Sequence, residues 1–332
     1  MKAAFIKKTG SPDTIIVDDL SPPRIGPRDV LIQVRKCSVN PIDTYVRAGS
    51  VAMPLEFPFI VGSDFAGDVL ATGCDVVSFK PGMKVWGSNQ GLLGRSGCFA
   101  EHIAVHERWV YPIPEGVSYE TASAAALVSI TACLGLTRHA WITDGETVFV
   151  NGGSGGVGIA VVQIAKALGA RVIASAGTPK KRKMVEDYGA DVVVDYHDPA
   201  QVLKSVRQFA PHGVDVFWET SREPDFHKAV SVIREQGRIV LMAGRDAQPS
   251  FPVGPFYVKQ CHVVGFVMFK SSSEEQLAAA LNINRWLSSG ALRIPIDRVL
   301  PLSSTAEAHR LQEASTVHQS EQLYGKIIID CD

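Results

Sequence analysis

Short runs in which apolar and polar positions alternate dominate the first 120 residues. Val30-Leu-Ile-Gln-Val-Arg35 alternates cleanly, and Gly67-Asp-Val-Leu-Ala71, Lys84-Val-Trp86 and Phe99-Ala-Glu-His-Ile-Ala-Val105 have the same strand-like character. Pro22-Pro23, Gly26-Pro27, Pro54, Pro58, Pro81-Gly82, Pro112 and Pro114 punctuate them. The pattern predicts a compact, barrel-like β domain over 1–120. Near Tyr119 it changes to an alanine-rich stretch, 119–136, apolar on nearly every face, which predicts a buried helix. Strands at 147–150, 171–175, 192–194, 213–218 and 237–242 then take turns with helices at 159–168, 179–188, 199–210 and 225–235. Such alternation argues for a parallel, doubly wound sheet. Val263-Val-Gly-Phe-Val-Met-Phe269 would close one edge of that sheet, with no charge between His262 and Lys270. So apolar an edge predicts pairing with a second copy, a homodimer through 263–269, unless the chain covers the edge itself. The remainder, with helices at 274–288 and 305–312, an extended piece at 294–301 and a strand at 325–330, is mixed and is expected to rejoin the first domain. The expected organisation is therefore α/β with domains 1–120, 121–269 and a return segment 270–332.

Composition narrows this little. A chain of 332 residues exceeds a usual single domain, and 46% apolar with 20% charged residues is ordinary for a globular protein with large cores. A net charge of −1 gives no reason to expect nucleic acid or an anionic membrane as a partner. The opening Met-Lys-Ala-Ala-Phe-Ile-Lys-Lys has charges at both ends of a very short apolar piece, unlike a signal peptide, and no stretch is read as a membrane span. Cysteines at 37, 74, 98, 133, 261 and 331 form no C-x-x-C pair, and no H-E-x-x-H is present. Free thiols, no metal site and a cytoplasmic location are expected.

The stretch Thr147-Val-Phe-Val-Asn-Gly-Gly-Ser-Gly-Gly-Val-Gly158 carries the candidate chemistry. Glycines 153, 155 and 158 fall on G-x-G-x-x-G between a strand and a helix. That spacing lets the backbone turn sharply, approach a pyrophosphate, and aim helix N–H groups at it. The next strand would end in Asp or Glu in an NAD site, about 20 residues past the glycines. Here Ser175 holds the place, followed by Gly177, Thr178 and Lys180-Lys-Arg-Lys183. Hydroxyls and ammonium groups accept a 2′-phosphate that a carboxylate would repel, so the cofactor expected is NADPH. The plainer alternative for the basic run is a solvated first helical turn. Asn40-Pro-Ile-Asp-Thr-Tyr45 has the grammar of a helix start, and it also places Asn40, Asp43 and Tyr45 near one another, able to polarise a carbonyl.

Six motifs in order resemble one family: Asn40-Pro-Ile-Asp-Thr-Tyr45, Phe59-Ile-Val-Gly-Ser-Asp-Phe-Ala-Gly67, Phe79-Lys-Pro-Gly-Met-Lys-Val85, Asn151-Gly-Gly-Ser-Gly-Gly-Val-Gly158, Ala176-Gly-Thr178 and Gly325-Lys-Ile327. They look like the quinone oxidoreductase branch of the zinc-independent medium-chain dehydrogenases/reductases, which includes zeta-crystallin. The resemblance implies a GroES-like catalytic domain split around a Rossmann domain, NADPH as reductant, and a dimer or tetramer. Zinc-containing relatives carry Cys at the position of Asn40 and His at that of Ser63, and a third ligand near Val128 is missing too, so no metal is expected.

The implied reaction is hydride transfer to a quinone or to the β-carbon of an enone, with Tyr45 hydrogen-bonding the acceptor oxygen and Asn40 fixing the nicotinamide ribose or the substrate. Either Tyr45 or water would supply the proton. By the same resemblance Thr131 lies near the diphosphate or nicotinamide, and Asn151, Ser154, Gly155, Gly156 and Val157 form the phosphate turn. Ser175, Thr178, Lys181 and Tyr196 surround the 2′-phosphate. Gly244, Phe266, Val267 and Lys326 reach the nicotinamide half. Tyr196 reads equally as an ordinary loop aromatic, Arg245 departs from the family without an interpretation, and 89–97 is expected to be a flexible loop. A zinc-free enoyl-thioester reductase and a non-catalytic NADPH-binding protein are the competing readings.

Overall fold

The computed structural model describes residues 1–317, 320 and 323–332. Its chain divides into two compact units: Met1–Leu127 with Ser271–Ser288 and Ile294–Asp332, and Val128–Lys270 with Ser289–Arg293.

The first unit begins with β1 (Lys2–Ile6), whose Ala3 to Ile6 are all buried, paired antiparallel with β2 (Ile16–Asp19). Charged flanks masked this pair in the sequence. β3 (Asp29–Ser38) buries Val30, Ile32 and Val34 on alternate positions, as its period-2 pattern predicts, and leads into α1 (Pro41–Ala48). The two-residue β4 (Phe59–Ile60) joins β1. β5 (Asp64–Thr72), β6 (Lys84–Gly87), β7 (His102–His106) and β8 (Val110–Pro112) build onto β3. α2 (Tyr119–Leu134) follows, and the units divide inside it at Leu127, seven residues past the expected boundary, because a single continuous helix crosses from one to the other.

The second unit is one parallel sheet in which β9 (Thr147–Asn151), α3 (Gly156–Ala167), β10 (Arg171–Ala176), α4 (Pro179–Asp187), β11 (Val192–Asp195), α5 (Pro199–Phe209), β12 (Val214–Glu219), α6 (Phe226–Val232), β13 (Ile233–Leu241), α7 (Val253–Val258) and β14 (His262–Gly265) succeed one another. The strand order is β11-β10-β9-β12-β13-β14, the order of a Rossmann fold. Val148, Phe149, Val150, Ile173, Val216 and Phe217 are fully buried, which strands covered on both faces require. Phe149 stacks on Phe217 with centroids 5.1 Å apart.

Back in the first unit, α8 (Ser273–Ser289), β15 (Ile296–Pro301), α9 (Thr305–Thr316) and β16 (Lys326–Asp330) follow, with β16 antiparallel to β3. Residues 289–293 group with the second unit, where Gln163 holds them through Arg293 N at 2.9 Å and Arg293 O at 2.8 Å.

Several expectations are corrected. The helix expected to run to 235 ends at Val232, because Ile233 is buried and pairs with Val214 as the start of β13. The expected edge strand 263–269 is only His262–Gly265. Beyond it Phe266 turns in to stack on His139 (4.5 Å) and meet Trp218 edge-on (6.1 Å), and that aromatic burial wins over further pairing. The helix Tyr119–His139 does reach membrane-spanning length and apolarity, contrary to the sequence reading, but most of it is buried in the protein. The 89–97 loop is tied down, not free. Arg95 Nε donates to Asn89 O (2.6 Å), Gly91 N to Ser96 O (2.9 Å), and Arg95 lies over the Trp109 ring. All six cysteines are free thiols.

Candidate active site

Where β3 passes into α1, the chain places Asn40 at the N-cap of the helix, in a capping box with Asp43. Asp43 performs half of that function by accepting from Asn40 N at 2.8 Å. The Asn40 amide also bonds inward. Its Nδ2 donates to Asp64 Oδ2 (2.7 Å), and its Oδ1 accepts from Lys326 Nζ (2.5 Å), which also donates to Val39 O (2.7 Å). Ser88 Oγ donates to Asp64 Oδ1 (2.6 Å), Leu127 N to Asp64 Oδ2 (3.2 Å), and Ser63 Oγ to Asp43. All these side chains are buried.

One ammonium and two carboxylates thus share a dry cluster. Burial disfavours each charged form: it pushes Asp43 up to about 7 and Asp64 upward, and lowers Lys326. Asp64 accepts three donors and Asp43 two, and Asp43, raised to about 7, is partly protonated near neutrality. Tyr45, on the same helix, is half-buried. Of this cluster the sequence reading named Asn40, Asp43 and Lys326 but missed Asp64 and Ser88. A Ser-Asp pair inside the apolar run 59–66 was the available signal, since a carboxylate there must find buried partners. Beside Ser88, Asn89 sits at φ 70° with both side-chain polar atoms buried and without a hydrogen-bond partner among the described residues.

In the second unit, β9 delivers the glycine turn. Gly158 is required because a Cβ there would collide with Gly152 O, so helix and turn can close only on a bare backbone. Gly155 and Gly156 are exposed, and α3 starts with no side-chain cap on its first N–H groups. Those orphan donors, with Ser154 and Val157 alongside, fit a diphosphate.

Behind the turn lies a polar network that the sequence reading did not anticipate. Asn151 Nδ2 donates to Glu219 Oε1 (2.7 Å), while Asn151 Oδ1 accepts from Lys228 Nζ (2.9 Å) and Ser175 Oγ (3.0 Å). Ser175 Oγ in turn accepts from Gly152 N (3.1 Å). Burial raises Glu219 and lowers Lys228. Ser175, expected beside the 2′-phosphate, is fully buried with its hydroxyl turned inward, so it shapes the turn. A buried amide needs its donors and acceptors met, which explains both departures.

At the far end of β10 and β11, Thr178 caps α4 by accepting from Lys181 N (3.2 Å), and Lys181 is half-buried. Lys183 pairs with Asp187 one turn along. Tyr196 is 39% exposed and tilts against His197. Thr131 is buried on α2, Gly244 follows β13 at φ 79°, Val267 is exposed, and Arg245 pairs with Asp246 at 2.9 Å. Among the described residues no group of three or more His, Cys, Asp or Glu side chains is arranged to hold a metal.

Comparison with known proteins matches residues 26–115 to the alcohol dehydrogenase GroES-like domain and residues 156–283 to the family described as zinc-binding dehydrogenase. Quinone oxidoreductase of Sus scrofa is 33% identical over 332 residues, covering 99% of this chain and 97% of that protein. A crystal structure described as an NAD-dependent alcohol dehydrogenase superposes with a TM-score of 0.89 at 29% identity, covering 99% of each chain. A mycobacterial protein solved with NADPH superposes at 0.85 with 27% identity, covering 99% of this chain and all of that one. Carrying the β-rich unit, the Rossmann sheet and this full-length similarity, the chain belongs to the medium-chain dehydrogenases/reductases, as an oxidoreductase of their zeta-crystallin-like quinone oxidoreductase branch.

Proposed function

We propose that the protein is an NADPH-dependent, zinc-independent reductase of quinones or α,β-unsaturated carbonyl compounds. The observation that carries this reading is the Asn40–Asp64–Lys326 cluster. Asn40 and Ser63 stand where the family resemblance puts a thiolate and an imidazole in zinc-containing members. They offer an amide and a hydroxyl, both already hydrogen-bonded, with an ammonium against the amide. Such donors are poor zinc ligands. Without a Lewis acid to hold an alkoxide, oxidation of simple alcohols loses its main electrostatic help, whereas an acceptor that is already electrophilic does not need it.

When bound, the dihydronicotinamide supplies the hydride. The uncapped start of α3 holds its diphosphate, and the Asn151 network keeps that turn in shape. Tyr45 donates a hydrogen bond to the acceptor oxygen as negative charge grows there. Asp43, accepting from Asn40 N and from Ser63 Oγ, supports the buried cluster that fixes Asn40. Full-length similarity to quinone oxidoreductases, and the solved NADPH complex of a relative, support the cofactor and acceptor classes.

Following NADPH absorbance against quinones, enones and enoyl thioesters, before and after exhaustive chelation, tests this. Turnover of the first two classes, unaffected by chelation, is expected. Activity restricted to enoyl thioesters, or lost on chelation and restored by zinc, would sink the reading.

A further inference from the structure

Arg182 lies in the first turn of α4, one residue past the lysine expected to meet the 2′-phosphate. Its Nη1 donates to Asp195 Oδ2 at 2.6 Å and to Gly177 O at 3.1 Å. Asp195 ends β11, and its other oxygen accepts from His197 N at 2.9 Å. Tyr196, between these two, lies against the bare backbone of Gly177, where any Cβ would collide with the phenol oxygen. One guanidinium therefore ties together the end of β10, the start of α4 and the end of β11. That is the rim where the adenosine end of a dinucleotide lies in a Rossmann sheet.

The carboxylate here matters. An Asp or Glu at this rim favours a ribose diol and repels a 2′-phosphate. This chain lacks one at the end of β10 but supplies Asp195 from the neighbouring strand. Paired with Arg182 at 2.6 Å, that carboxylate has its charge neutralised. Proteins of nearly the same fold are described with NAD and with NADPH, so the fold does not choose between them.

Building on the NADPH reading above, we propose that Arg182 is a specificity-determining residue. By cancelling the charge of Asp195 it makes the adenosine pocket tolerant of a 2′-phosphate, and Asp195 is the latent determinant for NAD.

Calorimetric dissociation constants for NADP⁺ and NAD⁺, and for adenosine 2′,5′-bisphosphate and AMP, test this on the full-length wild type, Arg182→Met, Asp195→Asn and the double variant. Arg182→Met should lower the preference for the 2′-phosphorylated ligand by about tenfold, through loss of NADP⁺ affinity with NAD⁺ little changed. Asp195→Asn should raise that preference by about threefold, and the double variant should return close to wild type. Both shifts should shrink in about 0.5 M salt. If the pair only fastens α4 to β11, both single variants weaken both dinucleotides alike, and preferences unchanged within about twofold overturn the proposal. Should Arg182→Met fail to fold, Asp195→Asn decides alone: a raised preference supports the proposal and an unchanged one overturns it. A wild type that itself prefers NAD⁺ would refute the NADPH reading, while the opposite signs of the two shifts would still decide the role of Arg182.

Discussion

His309 shows how one residue can be invisible in sequence and plain in structure. The side chain is fully buried, neither ring nitrogen has a hydrogen-bond partner among the described residues, and it meets Phe99 edge-on. Burial, with Arg47 nearby, lowers its pKa to about 3. A histidine depressed in this way contributes stability that is present above its unfolded value near 6.5 and lost as pH falls toward 3. Between pH 7 and 5 the loss is about 2 kcal/mol. Asp43, raised to about 7, acts with the opposite sign: its contribution is present below about 3.8 and disappears as pH rises through 7. Comparing His309→Phe with wild type at each pH isolates the histidine. Urea unfolding should show the variant losing about 2 kcal/mol less than wild type between pH 7 and 5; equal losses would mean that the imidazole does not titrate as described. Tyr45 belongs to the same scale. Tyr45→Phe should cut kcat by about tenfold or more while leaving the NADPH dissociation constant unchanged. An unaltered kcat would remove Tyr45 from the reaction.

At the scale of elements, the glycine turn was readable because its requirement is local: Gly158 must be bare for helix and turn to close. What holds the turn was not readable. Asn151 on β9, Ser175 on β10, Glu219 on β12 and Lys228 on α6 meet only because parallel strands distant in the chain end side by side. Lys228→Met should release the Asn151 amide, leave Glu219 without its cation and raise the NADP⁺ dissociation constant about tenfold at nearly constant kcat, with partial rescue by Lys228→Arg. A drop in thermal stability with the dissociation constant untouched would show that the network supports the sheet and not the turn. The same distinction explains the shortened edge strand. Seven apolar residues in a row read as one strand, yet Phe266 gains more by packing on Trp218 and His139 than by continuing the ladder.

At the scale of the whole molecule, the Rossmann sheet ends in β14, which among the described residues pairs only with β13. Near it in sequence, α7 exposes Val253, Tyr257 and Val258 at 63%, 67% and 66%. An open strand edge and so much exposed apolar surface support the proposed homodimer, with this face against its copy. Light scattering should give twice the 35.8 kDa chain mass for the wild type and the single mass for a Tyr257→Glu, Val258→Glu variant; a wild-type monomer would exclude the dimer. The chain's own periodicities determined the two architectures, the strand–turn–helix and the direction of the α2 stretch toward burial, because alternation, helical apolarity and glycine spacing act between near neighbours. Only tertiary structure decided that Asn40 joins Asp64 and Lys326, that Ser175 faces inward, and that Arg182 meets Asp195. Each of those outcomes is settled by what a buried polar group finds within hydrogen-bonding distance, and those partners come from strands that only folding brings together.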